Sequence, residues 1–267
     1  MVSIGVFPAD ARGEALAISE NGQIVVGYSE DTNNVGQAFR QGLNGILEGL
    51  GILPGYVKST ARGVSRDGSV IVGNCRNTSL KSQAFRWTES DGMQGLGVGV
   101  VAGFDESSVE GVSGNGAIIV GDVSSSIGGF KRRAFLWDAV QGMRDLQAVL
   151  TNQFGFNLAG WILESATAIS ADGTAIVGFG TNPQGKQEAW MVKLTTTQPT
   201  LIIERFSTSV VVRWPVGFSN FVLQCKGAFA PSDIWSPVTN APVITTGEFA
   251  VTNSVAGGAR YFRLKSQ

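Results

Sequence analysis

The chain has 267 residues, 43% of them hydrophobic and only 15% charged, with 36 glycines, 15 phenylalanines and 6 tryptophans; this composition excludes disorder and fits an all-β protein rich in turns. Twenty basic against 21 acidic residues leave a net charge of −1, so no global field draws the chain to nucleic acid or anionic lipid. Histidine is absent, which removes Ser-His-Asp and Cys-His catalysis, His-ligated zinc and the usual general base near neutral pH.

Along the chain, residues 3–8 (Ser3-Ile4-Gly5-Val6-Phe7-Pro8) form the first strand candidate. They carry no basic region followed by a long apolar one, and no run anywhere approaches the roughly 20 apolar residues of a membrane-spanning helix. A nine-residue stretch then appears four times, at 19–27 (SENGQIVVG), 65–73 (SRDGSVIVG), 113–121 (SGNGAIIVG) and 170–178 (SADGTAIVG). Each copy joins an Asn-Gly or Asp-Gly pair to a β-branched run ending at glycine, the pattern expected of a hairpin with a two-residue type I′ turn.

The serine anchors stand 46, 48 and 57 residues apart. An Ala-aromatic pair follows each of them (Ala38-Phe39, Ala84-Phe85, Ala134-Phe135, Ala189-Trp190), and a Gly-x-x-x-Leu segment follows the first three at 92–96, 142–146 and, less regularly, 45–50. Four strand candidates in about 46 residues is the size of one propeller blade. The fourth unit lacks its last segment, while residues 3–8 match residues 49–54 at the same offset. The expectation is therefore a closed four-bladed β-propeller over 1–194 whose N-terminal strand completes the last blade, which would remove the exposed sheet edges. The alternative is that further blades precede this sequence and the match marks where it begins.

The extra length of the third unit lies in 147–163, with a short helical turn expected over 145–150. Residues 195–199 read as a linker. From 200 to 267 short strand candidates at 201–203, 209–214, 221–224, 243–245, 249–252 and 261–264 predict a small β-sandwich, with Trp214 as its core plug. Cys75 and Cys225 fall in different predicted domains, and two free thiols are expected.

Chemistry is weakly marked. The exchange of Asp for Asn among the four anchors favours turn geometry over metal binding, so no metal, cofactor or catalytic residue is predicted. Lys131-Arg132-Arg133, the one tight basic cluster, reads as a solvated turn. Carboxylate-only chemistry survives without histidine, and Asp105, Glu106, Glu110 and Glu164 lie near the junctions between units without any pair standing out. Nine residues before three of the anchors stand Asp10, Tyr56 and Phe104, and Phe156 follows glycine in the same manner. Tyr56, Phe104 and Phe156, with Trp161, are the candidate ligand-binding residues: an aromatic patch around one mouth of the ring, or else caps between blades.

The unit A-x-x-[IV]-S-x-[DN]-G-x-x-[IV]-V-G, then A-[FW]-x-W, then G-M-x-x-L, resembles the HAF-type extracellular repeat family over residues 3 to about 194. Gln41, which stands where the next units have Trp87 and Trp137, and Ala175, inside the β-branched run, depart from it. The tail, with Trp214, the 221–224 segment and residues 258–264, is similar to fibronectin-III-like domains of secreted bacterial proteins. The resemblance implies a secreted or surface protein with a propeller-like body and no defined activity. The expected role is a non-catalytic, monomeric extracellular scaffold or binding protein that presents inter-blade loops to a protein or polysaccharide. The alternative is a carbohydrate-active enzyme or carbohydrate-binding module.

Overall fold

A computed structural model describes residues 3–98, 103–125, 131–194, 201–215, 221–227, 234–245, 248–254 and 260–266. The protein is all-β with one short helix, and it divides into two compact bodies, residues 1–148 with 159–195 and residues 149–158 with 196–267.

The first body holds the four repeats. Repeat 1 runs β1 (Arg12–Ile18), β2 (Val25–Glu30), β3 (Gly36–Gln41) and β4 (Leu47–Gly51); repeat 2 runs β5 (Lys58–Val64), β6 (Val70–Arg76), β7 (Ser82–Thr88) and β8 (Gly92–Gly97). Repeat 3 runs β9 (Glu106–Val112), β10 (Ile118–Ser125), β11 (Lys131–Asp138) and β12 (Gly142–Asp145), followed by helix α1 (Leu146–Phe154), where the helical turn was expected. Repeat 4 has β13 (Ile162–Ile169), β14 (Ala175–Thr181) and β15 (Gln187–Lys193). Within each repeat the consecutive strands pair antiparallel.

The anchor turns differ from the expected type I′ hairpin. In repeat 2 the Gly68 amide donates to the Ser65 carbonyl at 3.0 Å and the Ser65 amide to the Val70 carbonyl at 2.8 Å, enclosing a four-residue loop. Gly68 takes φ +80° while Asp67 keeps a negative φ. The return bond is made by a side chain, since the Val70 amide donates to Ser65 Oγ at 2.9 Å and that hydroxyl donates to Asp67 Oδ1 at 2.7 Å. The same circuit closes through Ser19 and Asn21, Ser113 and Asn115, and Ser170 and Asp172. The serine therefore replaces one ladder acceptor, and the Asx side chain orients it.

The glycine that ends each β-branched run has a separate cause. The first strand of every repeat carries a register irregularity that sets Leu16, Arg62, Glu110 and Thr167, at equivalent places, between paired neighbours, and β13 carries a second one at Glu164. The irregularity drives a backbone carbonyl into the second strand. A Cβ on Gly27, Gly73, Gly121 or Gly178 would lie 1.8, 2.0, 2.0 or 1.9 Å from the carbonyl oxygen of Glu14, Thr60, Ser108 or Ser165. In repeats 2, 3 and 4 the aromatic ring of the Ala-aromatic pair (Phe85, Phe135, Trp190) closes on the same Cβ position, at 2.8, 2.9 and 2.4 Å. The three repeated sequence blocks are thus one packing unit.

The core lies between successive repeats, the first two of which are joined at one point where Gly36 of β3 pairs parallel with Lys58 of β5. Val26, Ala38, Leu50 and Leu53 of repeat 1 and the linker after it pack with Ala61, Ile71, Cys75 and Phe85 of repeat 2. Val70, Val72 and Ala84 pack with Val109, Ile119, Val123 and Phe135 of repeat 3. Buried hydroxyls pin the first two junctions: Ser59 Oγ takes the Ala38 amide and donates to the Gly51 carbonyl, and Ser107 Oγ does the same between Ala84 and Gly97.

Ring closure by strand pairing is not what residues 3–8 do. Among the described residues β15 pairs with β14 alone, and no hydrogen bond joins residues 187–194 to residues 3–30. Instead the Ile4 carbonyl accepts from Gln41 Nε2 at 3.1 Å and the Phe7 amide donates to Ser29 Oγ at 3.0 Å. Gln41, which stands where the next two repeats carry Trp87 and Trp137, supplies the amide that holds the passing chain.

In the second body, β16 (Ile202–Arg205), β17 (Ser209–Pro215), β20 (Val243–Thr245) and β21 (Glu248–Ser254) form one sheet, and β18 (Phe221–Lys226), β19 (Ser236–Pro237) and β22 (Tyr261–Ser266) the other. Val210, Val212, Trp214, Leu223 and Val251 are their shared core, with Trp214 2% exposed. Cys75 and Cys225 are free thiols, and burial pushes the Cys75 thiol up to about 11.

Gly73→Ala is expected to destabilise the first body by about 3 kcal/mol or more, because the new methyl meets backbone. Gly42→Ala, whose Cβ would meet nothing nearer than 3.5 Å, is expected to be neutral. Urea denaturation followed by tryptophan fluorescence compares the two.

Candidate functional site

The first strands of repeats 1 to 3 stand side by side, and their open faces enclose a polar groove of about 590 Å³. β1 contributes Glu14 and Leu16, β5 contributes Lys58, Thr60 and Arg62, and β9 contributes Glu106, Ser108 and Glu110. Tyr28, Asn74, Arg76, Asp122, Ser124 and Arg132 enter from neighbouring strands. Three of the four equivalent irregular positions, Leu16, Arg62 and Glu110, line it. The fourth, Thr167, donates its hydroxyl to the Val177 carbonyl instead. Such irregularities commonly re-aim a side chain at a functional surface.

Part of the lining holds the repeats together. Asn74 Nδ2 donates to Ser108 Oγ at 3.0 Å and its Oδ1 accepts the Val109 amide at 2.8 Å, joining repeats 2 and 3. Asp122 takes the equivalent place in repeat 3: Ser165 Oγ of repeat 4 donates to its Oδ2 at 3.0 Å, and Arg132 Nε lies 3.3 Å from its Oδ1. Glu30, buried just outside the groove, is held by Arg12 and Lys58. Burial alone would raise its pKa, but these two partners bring it below the usual carboxylate range.

Burial pushes the Asp122 carboxyl from the ordinary 3.8 up to about 6; Arg132 and Ser165 oppose the shift, and nearby Glu110 adds to it. Asp67 and Asp172 go the other way, to about 2, because the anchor serine and the following residue hydrogen-bond to the ionised form. These two carboxylates are consumed by their turns.

The aromatic residues expected at the mouth of the ring are not assembled there. Tyr56 packs against the core between repeats 1 and 2, and Phe104 against the core between repeats 2 and 3. Phe156 belongs to the second body, its amide donating to the Leu150 carbonyl. Trp161 is half-buried in the first body, and its carbonyl accepts from Gln147 Nε2.

Of the acidic candidates, Asp105 is paired with Lys81 and Glu164 accepts from Thr181 Oγ1, while Glu106 and Glu110 reach the groove. The Lys131-Arg132-Arg133 cluster is the start of β11, not a turn, and Arg132 lines the groove. Sequence reasoning missed Arg62, Arg76 and Asp122. The signal for Arg62 and Glu110 was present in the repeat itself, at the variable position after the first Ala or Val of Ala-Leu-Ala, Ala-Arg-Gly, Val-Glu-Gly and Ala-Thr-Ala.

Among the described residues no cluster of three or more His, Cys, Asp or Glu side chains suits a metal ion. No helix there is long and apolar enough to cross a membrane.

No protein-family model matches the chain, and no curated protein matches it. Among solved structures it is similar to TolB from Acinetobacter baumannii, with 12% identity over 78% of this chain and 52% of that one and a TM-score of 0.46. It is also similar to a putative TolB from Agrobacterium tumefaciens, with 14% identity over 91% and 90% of the two chains and a TM-score of 0.44. The β-propeller domain of the Trilobed protease from Pyrococcus furiosus aligns at 12% identity over 77% and 65%, with a TM-score of 0.39. The chain spans about half the length of the Acinetobacter protein. Likeness at this level says nothing of activity.

Two outcomes are expected. Tyr56→Ala and Phe104→Ala each lower stability by about 2–4 kcal/mol in chemical denaturation, as lost inter-repeat packing. Asp122 holds its proton more tightly folded than unfolded, so its contribution is favourable below about pH 4 and lost as pH rises to about 6, on the order of 2–3 kcal/mol. The stability of Asp122→Asn relative to the parent should therefore rise across that interval when both are unfolded in urea at a series of pH values.

Proposed function

We propose that this chain is a non-catalytic extracellular binding protein, a propeller-type array of four blades whose first strands take a polar ligand in the groove they share. One observation carries the reading: the irregular position varies from Leu16 to Arg62, Glu110 and Thr167 while the residues around it repeat, and three of these four line the groove. Variable side chains on a repeated frame are where recognition is normally placed. The reading of the four repeats as blades is supported by their antiparallel meanders and by the core between successive repeats; closure into a ring is not needed for the groove. A secreted or surface location follows from the resemblance of the repeated unit to extracellular repeats. The C-terminal sandwich is read as a fibronectin-III-like module that spaces or attaches the array.

A second reading, a carbohydrate-active enzyme, is favoured by one feature. Asp122 is a carboxyl raised to about 6 with Glu110 close enough to act on it, and acid–base work on glycosides needs two carboxyls in different protonation states.

The test is a binding screen of the full chain against immobilised polysaccharides and peptides, together with reducing-sugar release. The binding reading expects a ligand whose affinity falls about tenfold or more in Arg62→Ala or Glu110→Ala, with no product released. Binding indifferent to both substitutions removes the groove as the site. Sugar release lost in Asp122→Asn and Glu110→Gln replaces the binding reading with the enzyme.

A further inference from the structure

The groove holds opposite charges that do not meet. Among the described residues neither Arg62 nor Arg76 has an ion-pair or hydrogen-bond partner, although both line the groove. Beside them on β9, Glu106 accepts only the Ser82 amide at 3.3 Å and Glu110 only the Ser108 hydroxyl at 3.2 Å. Of the other charges in the lining, Lys58 is paired with Glu30 and Arg132 with Asp122, and Glu14 on β1 lies against the Tyr28 hydroxyl.

The four open groups fall into two pairs. Arg62 and Glu110 occupy the irregular positions of adjoining first strands. At the other end Arg76 stands opposite Lys58 in the β5–β6 ladder and next to Ser82 in the β6–β7 ladder, and Ser82 is the residue that Glu106 holds. Lys58 and Glu106 lie four residues before Arg62 and Glu110, roughly 13 Å along a strand. Each end of the groove thus offers one guanidinium and one carboxylate, and among the described residues neither pair closes into a salt bridge. Between them the lining is hydroxyl-rich, with Thr60, Ser82, Ser108 and Ser124.

We infer that the groove binds a short peptide with both termini free, its carboxylate on the arginine at one end and its ammonium on the glutamate at the other. Three or four extended residues cover roughly 13 Å, and the hydroxyls between the ends suit the polar main chain. A simple anion would be repelled by Glu106 and Glu110, and a neutral sugar would leave all four charges unanswered at a desolvation cost. Unlike-charge placement of this kind selects by complementarity. The inference rests on the groove reading and adds the ligand's chemical class to it.

The experiment is isothermal titration of the full chain at low salt with tetra-alanine, tetra-alanine acetylated and amidated at its ends, free alanine, and a panel of neutral and acidic oligosaccharides. Tetra-alanine is expected to bind, with capping of both ends weakening it about tenfold or more. The paired variants Arg62→Gln with Arg76→Gln, and Glu106→Gln with Glu110→Gln, are each expected to weaken it as much. Their melting temperatures should match the parent's, since none of the four groups is held in an ion pair. Equal binding of capped and free peptide, or of free alanine and tetra-alanine, overturns the inference. So does a saccharide that binds in place of the peptide, but if the paired variants abolish that binding the groove reading survives. Ligands of any class that bind the variants as well as the parent overturn both.

Discussion

A backbone carbonyl pressed against a glycine organises each repeat. The irregularity in the first strand needs a residue more than its partner strand can match, and the displaced carbonyl arrives within about 2 Å of where a Cβ would sit on Gly27, Gly73, Gly121 and Gly178. Only glycine admits it. In repeats 2, 3 and 4 the ring of Phe85, Phe135 or Trp190 presses on the same place, where a side chain would otherwise stand. First strand, β-branched run and aromatic strand cannot vary independently, which is why three blocks of sequence recur together.

The same constraint separates structure from recognition. In repeats 2, 3 and 4 the residue just before the irregularity is spent on burial, with Ala61, Val109 and Ala166 at 0% exposure. The extra residue is turned out, so its identity is free. Polar side chains divide likewise: Ser59, Ser107, Asn74 and Asp122 join one repeat to the next, whereas Arg62, Arg76, Glu106 and Glu110 hold no repeat to another through an ion pair. A rigid frame that keeps unlike charges apart keeps them available, because a pair free to collapse would satisfy itself.

Electrostatics within the frame follow from how far each carboxyl is buried and what reaches it. Asp67 and Asp172, in exposed turns, accept several hydrogen bonds and stay ionised well below the usual range. Asp122 is buried at a junction, and one guanidinium with one hydroxyl does not offset its desolvation. Glu30, equally hidden but met by both Arg12 and Lys58, ends on the acidic side.

The repeat, its period, the four strands of each of the first three units, the helical turn after Asp145 and the core position of Trp214 were all legible in the chain, because each depends on local propensity or on burial that recurs at fixed spacing. The variable residue inside Ala-x-Gly was legible as a variation but not as a site, since only the register irregularity shows which way Arg62 and Glu110 face. Tyr56 and Phe104 could be read from the sequence either as a binding patch or as caps between repeats, because equivalent positions face alike; they pack against the cores between repeats. The docking of residues 3–8 on Gln41 and Ser29, and the partnering of Asp122 by Ser165 across 43 positions, were decided by tertiary structure alone. Those contacts join residues whose proximity is set by how whole sheets stack, and no local pattern encodes that distance.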